Sequence, residues 1–191
     1  MKRTLMALHQ SQSRVEAQNR ELQRLANYDQ LSGMLNRRAF FEFGDKQFAL
    51  CQSTNMPLVC LMCDIDHFKS INDNYGHAVG DAAIRSVSGI IQKNIRQNDV
   101  LGRYGGEEFC IVFPGMSTEL GLERAEQIRS EIEDKAGKGV RSVEGLRITS
   151  SFGLSILSPS SDSLPTLIDQ ADQALYVSKE SGRNRVSQYQ Q

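Results

Sequence analysis

The chain has little of what would mark it for a membrane, a nucleic acid or an oxidising compartment. No apolar run approaches the roughly 20 residues needed to cross a bilayer, and Met1-Lys2-Arg3 is followed by too short an apolar segment for a secretory signal. The formal net charge is only −1, so there is no basic field for a nucleic-acid polymer or an anionic lipid surface, and a charged ligand has to be held by local groups. Cysteine is sparse, at four. Cys60 and Cys63 form a C-x-x-C, but on a strand positions three apart point to opposite faces, which argues against a shared zinc or a redox pair. Cys51 and Cys110 read as small core residues, and all four are expected to be reduced in a cytoplasmic protein. There is no internal repeat or low-complexity tract, and a 39% hydrophobic content over 191 residues suffices for one ordinary core.

What is present is organised around two stretches. In Arg103 to Phe113, Gly105 and Gly106 interrupt residues that otherwise read as strand, the composition of a two-residue hairpin turn with positive φ at both central positions. The turn ends in Glu107 and Glu108, which puts two carboxylates on a rigid rim suited to a hard cation; taken alone they would pass for solvent-facing glutamates. The second stretch, Leu58 to Asp73, begins as an unbroken apolar run, reads as a strand buried on both faces, and stops at Asp64. Asp66 can N-cap a following helix, leaving the free N–H groups around His67 and Phe68 as a seat for phosphate. Asp64 at the strand end and Glu107 at the hairpin tip can then share a Mg²⁺ that also grips a triphosphate.

Residues 1 to about 27 contain no Gly or Pro. Leu5, Leu8, Gln12, Val15, Asn19, Leu22 and Ala26 fall at alternating steps of three and four, a heptad seam with polar residues at two of its places. This predicts a parallel coiled-coil stalk over residues 1–28 and a globular domain over 29–191; the alternative is one amphipathic helix lying on its own domain. A stalk so near the N-terminus implies either a sensor preceding it in a longer protein or sensing elsewhere. The order that follows is a helix from Arg38 to about Thr54 with Phe40, Phe41, Phe48 and Leu50 available to the core, the Leu58 strand, and a short helix to Asn74-Tyr75-Gly76. Then come a helix from about Val79 to Ile95, the hairpin, a helix from Thr118 to about Lys135, and a surface loop at Gly137-Lys138-Gly139. Leu146 to Leu157 alternates like an edge-type strand or hairpin arm, Leu164 to Ser181 is the last long helix, and Arg185 to Tyr189 is a closing strand. This is an α+β arrangement of the split βαβ type, a central sheet with flanking helices.

Taken together, the two stretches closely resemble the GGDEF family of diguanylate cyclases, with Gly105-Gly106-Glu107-Glu108-Phe109 as a variant of the signature carrying Glu in third place. The likeness extends over roughly Asp29 to Gln188, where Asp29-Gln30-Leu31-Ser32-Gly33-Met34-Leu35-Asn36-Arg37 is similar to the family's wide turn between stalk and domain. The resemblance implies a ferredoxin-like, palm-type nucleotidyl cyclase fold with a mainly antiparallel sheet. It also implies condensation of two GTP molecules into cyclic di-GMP and pyrophosphate by a homodimer. Implied metal ligands for Mg²⁺, with Mn²⁺ as the other candidate ion, are Asp64, the Ile65 carbonyl and Glu107. Glu107 is the implied base and Glu108 a second ligand or helper.

Guanine offers N1–H and N2–H donors beside an O6 acceptor, so a GTP site needs a carboxylate and an amide; Asn72 and Asp81 match the family's positions for this, with His77 between them. Asp81 alone would pass for a helix N-cap. Phe68 and Lys69 are expected beside the phosphates, and Lys179 and Arg183 match the basic residues with which the family holds the β- and γ-phosphates; Tyr176 and Asn184 extend that match, and Ser178 replaces a more usual Ala. Arg96-Gln97-Asn98-Asp99 has the spacing of the product-inhibition motif, while Gln127 stands where the family often has a second arginine, with Arg124 and Arg129 nearby. The rival readings are a silent module that binds GTP or cyclic di-GMP without catalysis, and a purely structural coiled-coil dimeriser.

Overall fold

A computed structural model describes residues 2–158 and 161–190, apart from the side chains of 2–11, 13 and 20. In chain order the elements are α1 (Lys2–Asn27), α2 (Arg37–Thr54), β1 (Leu58–Ile65), α3 (Phe68–Tyr75), α4 (His77–Lys93), β2 (Val100–Arg103), β3 (Glu108–Pro114), α5 (Thr118–Lys135), β4 (Ser150–Ile156), α6 (Leu164–Glu180) and β5 (Val186–Gln188). They form one sheet of order β2-β3-β1-β4-β5, antiparallel except for the β4–β5 pair. The α+β class and mainly antiparallel sheet expected from the sequence are present.

β1 is the centre of the sheet, and all its residues are buried. Its period-two alternation divides the core. Val59, Leu61, Cys63 and Ile65 pack on the side of α3, α4 and α5, and Leu58, Cys60 and Met62 on the side of α2 and α6. Each such side chain contributes about 1.5–3 kcal/mol by leaving water, which is what holds a strand ending in a carboxylate inside the molecule. Cys60 and Cys63 therefore point to opposite faces, and all four cysteines are free and buried. On the second face α6 lies directly on β4, because a Cβ at Gly153 would come within 2.0 Å of the Ala171 carbonyl oxygen and 2.1 Å of the Leu175 nitrogen. That contact brings the last turn of α6 to the end of β1.

Several expectations shift. The segment expected as an edge strand is interior: β4 runs between β1 and β5, and Ser150 to Ser155 are buried because β5 covers its outer side. Leu50 is 48% exposed and Cys51 takes the core place on α2. α4 begins two residues earlier than expected, at His77, since Gly76 (φ 84°) supplies the break. The Gly137–Gly139 loop is a 3₁₀ turn with Gly137 buried. In α1 the described seam residues Gln12, Val15, Asn19, Leu22 and Ala26 are exposed, Leu22 at 63%; Leu5 and Leu8 fall outside the described side chains. Among the described residues no helix is long and apolar enough to cross a membrane.

Candidate active site

The β1–β3 register sets Asp64 directly opposite Glu108, so both side chains leave the same face of the sheet. Lys179, in the last turn of α6, donates to Asp64 Oδ2 at 2.8 Å. Burial pushes the Asp64 carboxyl up; Lys179 pulls it back, Glu107 and Asp66 push it up again, and it stays above the ordinary range. Glu108 is also raised, first by burial and then by the charge of Asp64. Glu107, half-buried in the turn, accepts a bond from the Ile65 N–H through its carbonyl at 3.3 Å. Acids thus outnumber the cation among them. This donor set of carboxylates and a main-chain carbonyl fits a hard divalent ion, yet among the described residues no three acids, histidines or cysteines already converge as a metal cage. Asp64 is engaged by Lys179 instead.

The signature turn is built differently from the expected two-residue hairpin. β2 ends at Arg103 and β3 begins at Glu108, the N–H groups of Tyr104 and Gly105 both donate to the Glu108 carbonyl, and neither Gly105 nor Gly106 has positive φ. A Cβ at Gly105 would lie 2.2 Å from Glu108 Oε2, so a side chain there would push the Glu108 carboxylate aside. The turn is braced by Arg103, whose Nε and Nη2 donate to the Gly106 carbonyl at 3.0 and 2.6 Å while Nη1 pairs with Asp29 Oδ1 at 2.9 Å. Asp29 accepts further bonds from the Ser32 N–H and hydroxyl. Its burial penalty is outweighed by these bonds, and its carboxyl sits below the usual value.

Beside the acids, α3 and α4 diverge from Gly76. Phe68 and Asn72 meet α4 at Gly80, where a Cβ would lie 1.9 Å from Asn72 Oδ1 and 3.2 Å from Phe68 Cζ. Lys69, His77 and Asp81 are exposed; Asp81 lies beyond the first turn of α4 and is not an N-cap. Asp66 does not cap α3 either. The N-cap place is taken by His67 in a left-handed conformation, φ 55°, without a side-chain bond, because Asp66 is drawn toward β4. It accepts from Ser151 Oγ at 2.6 Å, Thr149 Oγ1 at 2.8 Å and the Asn184 N–H at 3.1 Å. Arg183 sits on the loop after α6.

Arg96 and Asp99 stand apart from this cluster. They line a cleft of about 530 Å³ with Tyr28, Met34 and Phe43, at the root of α1. Asp99 Oδ2 accepts the Arg96 main-chain N–H at 2.6 Å, and the Arg96 side chain is exposed. Burial pushes the Asp99 carboxyl up. Arg124 donates to the Asn94 carbonyl and its charge acts on Asp99, while Arg129 is tied to Glu126, Glu133 and Asn184.

A family model described as diguanylate cyclase, GGDEF domain, matches residues 26–185. The chain belongs to the GGDEF family of diguanylate cyclases. Diguanylate cyclase VdcA of Vibrio cholerae is 42% identical over 175 residues, covering 91% of this chain and 50% of that protein. The probable diguanylate cyclase DgcT of Escherichia coli is 38% identical over 162 residues, covering 85% and 35%. This GGDEF chain therefore spans half or less of the length of these curated relatives. Among solved structures, the coiled coil and GGDEF domain of DgcB from Caulobacter crescentus, in complex with c-di-GMP, superposes with a TM-score of 0.85 at 30% identity and 98% coverage of both chains. The active GGEEF domain of a diguanylate cyclase from Vibrio cholerae gives 0.74 at 33% identity, covering 82% of this chain and 97% of that one.

In this GGDEF domain, sequence reasoning missed the brace made by Arg103, the partners of Asp66 and the notch at Gly80. The last had a signal: a glycine inside a helix costs about 1 kcal/mol relative to alanine and calls for a packing reason.

Proposed function

We propose that this chain is the catalytic part of a diguanylate cyclase that joins two GTP molecules into cyclic di-GMP with release of two pyrophosphates. The observation that carries this reading is the cluster of Asp64, Glu107 and Glu108 at the end of the central strand, met by Lys179 and flanked by the Asn72–Gly80 notch. A Mg²⁺ ion, or Mn²⁺, would be held by Asp64, the Ile65 carbonyl and Glu107, with Glu108 assisting. When bound it would neutralise the triphosphate and lower the pKa of the attacking 3′-hydroxyl.

The chain's own groups do the rest. Asn72 and Asp81 read the guanine edge, with His77 near the base or ribose, and Gly80 leaves the Asn72 amide room to turn. Main-chain N–H groups around Phe68, with Lys69, seat the phosphates. Lys179, on leaving Asp64, and Arg183 hold the β- and γ-phosphates that depart as pyrophosphate. Glu107 takes the proton as the 3′-oxygen of one GTP attacks the α-phosphorus of the other in line. Among the described residues there is one such site per chain and the reaction needs two facing nucleotides, so the working unit is a two-fold dimer. The exposed seam of α1 supports a coiled-coil stalk that raises the effective concentration of the second half-site. A domain consuming GTP works where GTP is held, which assigns it to the cytoplasm. Cyclic di-GMP bound at Arg96 and Asp99 would give feedback inhibition, with Gln127 leaving the grip on product less complete.

The test is incubation of a concentrated, dimeric sample with GTP and Mg²⁺, followed by chromatography of the nucleotides. Cyclic di-GMP from wild type, and at most a trace from Glu107→Ala, is the expected result. GTP binding without any cyclic product would favour the silent module, and a fully active Glu107→Ala would remove the assignment of the metal and base.

A further inference from the structure

We propose that Asp66 is the positioning residue for Arg183: its carboxylate ties the turn between β1 and α3 to the Gly182–Asn184 loop and so sets where the guanidinium meets the triphosphate tail. This rests on the reading of Arg183 as a phosphate-binding group given above. Asp66 is 4% exposed and, among the described residues, has no cation within ion-pair distance. A buried carboxylate without a counter-ion is costly unless its oxygens are fully engaged. Here Ser151 donates to Oδ1, and Thr149 and the Asn184 N–H donate to Oδ2. The Asn184 N–H also reaches Ser151 Oγ at 3.2 Å, so the carboxylate, the β4 hydroxyl and the loop amide form one closed set.

The loop it holds is not one the chain would adopt unaided. Gly182, Arg183 and Asn184 have φ of 107°, 64° and 47° in succession. Glycine takes such values freely and asparagine tolerates them, whereas arginine in the left-handed region costs about 1–2 kcal/mol. The conformation is secured from three directions: the Arg183 N–H donates to the Ser178 carbonyl at 2.9 Å, Arg129 donates to Asn184 Oδ1 at 2.9 Å, and Asp66 accepts the Asn184 N–H. Of these only Asp66 belongs to the β1–α3 turn, and it adjoins His67. Arg183 and His67 line the same cavity of about 680 Å³. Asp66 thus registers the basic loop against the strand end that carries Asp64, while the Asn72–Gly80 notch is built by other residues. Its contribution falls on the phosphate tail and not on the base.

The experiment is titration calorimetry in Mg²⁺ with 3′-deoxy-GTP, which lacks the attacking hydroxyl, and with GMP, on the full chain. Asp66→Asn keeps shape but replaces one accepting oxygen with a donating amide, so it cannot accept from Ser151 at one position and from Thr149 and the Asn184 N–H at the other. We expect it to weaken 3′-deoxy-GTP by about tenfold or more, the worth of one charge-assisted bond to phosphate, with GMP affinity unchanged. Adding Arg183→Ala to Asp66→Asn should then cost little more, since the guanidinium is already misplaced. Equal losses for 3′-deoxy-GTP and GMP, or losses from the two substitutions that multiply, would overturn the assignment and leave Asp66 a structural residue. If Asp66→Asn does not fold, Ser151→Ala decides: a smaller loss confined to 3′-deoxy-GTP supports the proposal, and no loss or an equal loss for GMP overturns it. Failure of the wild type to bind 3′-deoxy-GTP removes the GTP reading itself, and this inference with it.

Discussion

Replacing Lys179 with methionine keeps the stem of the side chain and removes the ammonium that lies 2.8 Å from Asp64. The Asp64 side chain is 11% exposed and that of Lys179 31%, so the pair is neither a surface bridge nor a fully buried one. Breaking a buried pair by removing one partner costs about 3–5 kcal/mol, while an exposed pair is worth at most about 1 kcal/mol. The exposure of the lysine argues for the lower part of that interval, about 1–2 kcal/mol. For a domain of this size that corresponds to a fall in Tm of about 2–8 °C at neutral pH without divalent ions. The same substitution frees Asp64 for a metal. Mg²⁺ or Mn²⁺ without nucleotide should therefore raise the Tm of Lys179→Met more than that of wild type, because an ion binding only the folded state stabilises it by mass action. Thermal denaturation with and without each ion reads both effects. A variant as stable as wild type, with no greater response to the ions, would refute the idea that Lys179 stands in for a cation at Asp64.

Three other outcomes are expected. Arg103→Ala removes the brace between Asp29 and the Gly106 carbonyl and should lower stability by about 2 kcal/mol, with amide exchange accelerating at residues 104–108 ahead of the core strands. Gly80→Ala should leave stability nearly unchanged, since gained helix propensity of about 1 kcal/mol offsets the local shift. It should nonetheless raise the KM for GTP, because the new methyl group displaces the Asn72 amide from 1.9 Å away. Glu133 is held down to about 2 by bonds from Asn184, Arg129 and Arg147. A depressed carboxylate adds stability that is present above its ordinary value and lost as pH falls through the folded one. Urea midpoints should therefore drop more steeply in wild type than in Glu133→Gln between pH about 4.5 and about 2.

The elements that local pattern specifies were readable in one dimension. The run from Leu58 to Cys63 has nowhere to go but a doubly buried strand, and its end at Asp64 follows from the cost of carrying charge further into an apolar layer. The signature, the helix periodicities and the C-x-x-C geometry were legible for the same reason. What could not be read was which distant groups a given side chain meets. Asp66 has the sequence context of an N-cap, and in an isolated segment would serve as one; in the folded chain Ser151, Thr149 and the Asn184 N–H offer a carboxylate more than a helix end can. Gly105 and Gly106 suggested a two-residue turn with positive φ, but neither adopts it, and the turn is held instead by the Tyr104 and Gly105 N–H groups on the Glu108 carbonyl. The meeting of Lys179 with Asp64 depends on α6 lying against the backbone of β4 at Gly153, a contact between residues far apart in the chain. Period and composition act over a few residues and choose the element; the partners of a buried charge are chosen by how closely those elements pack, and that distance is a property of the assembled sheet and helices.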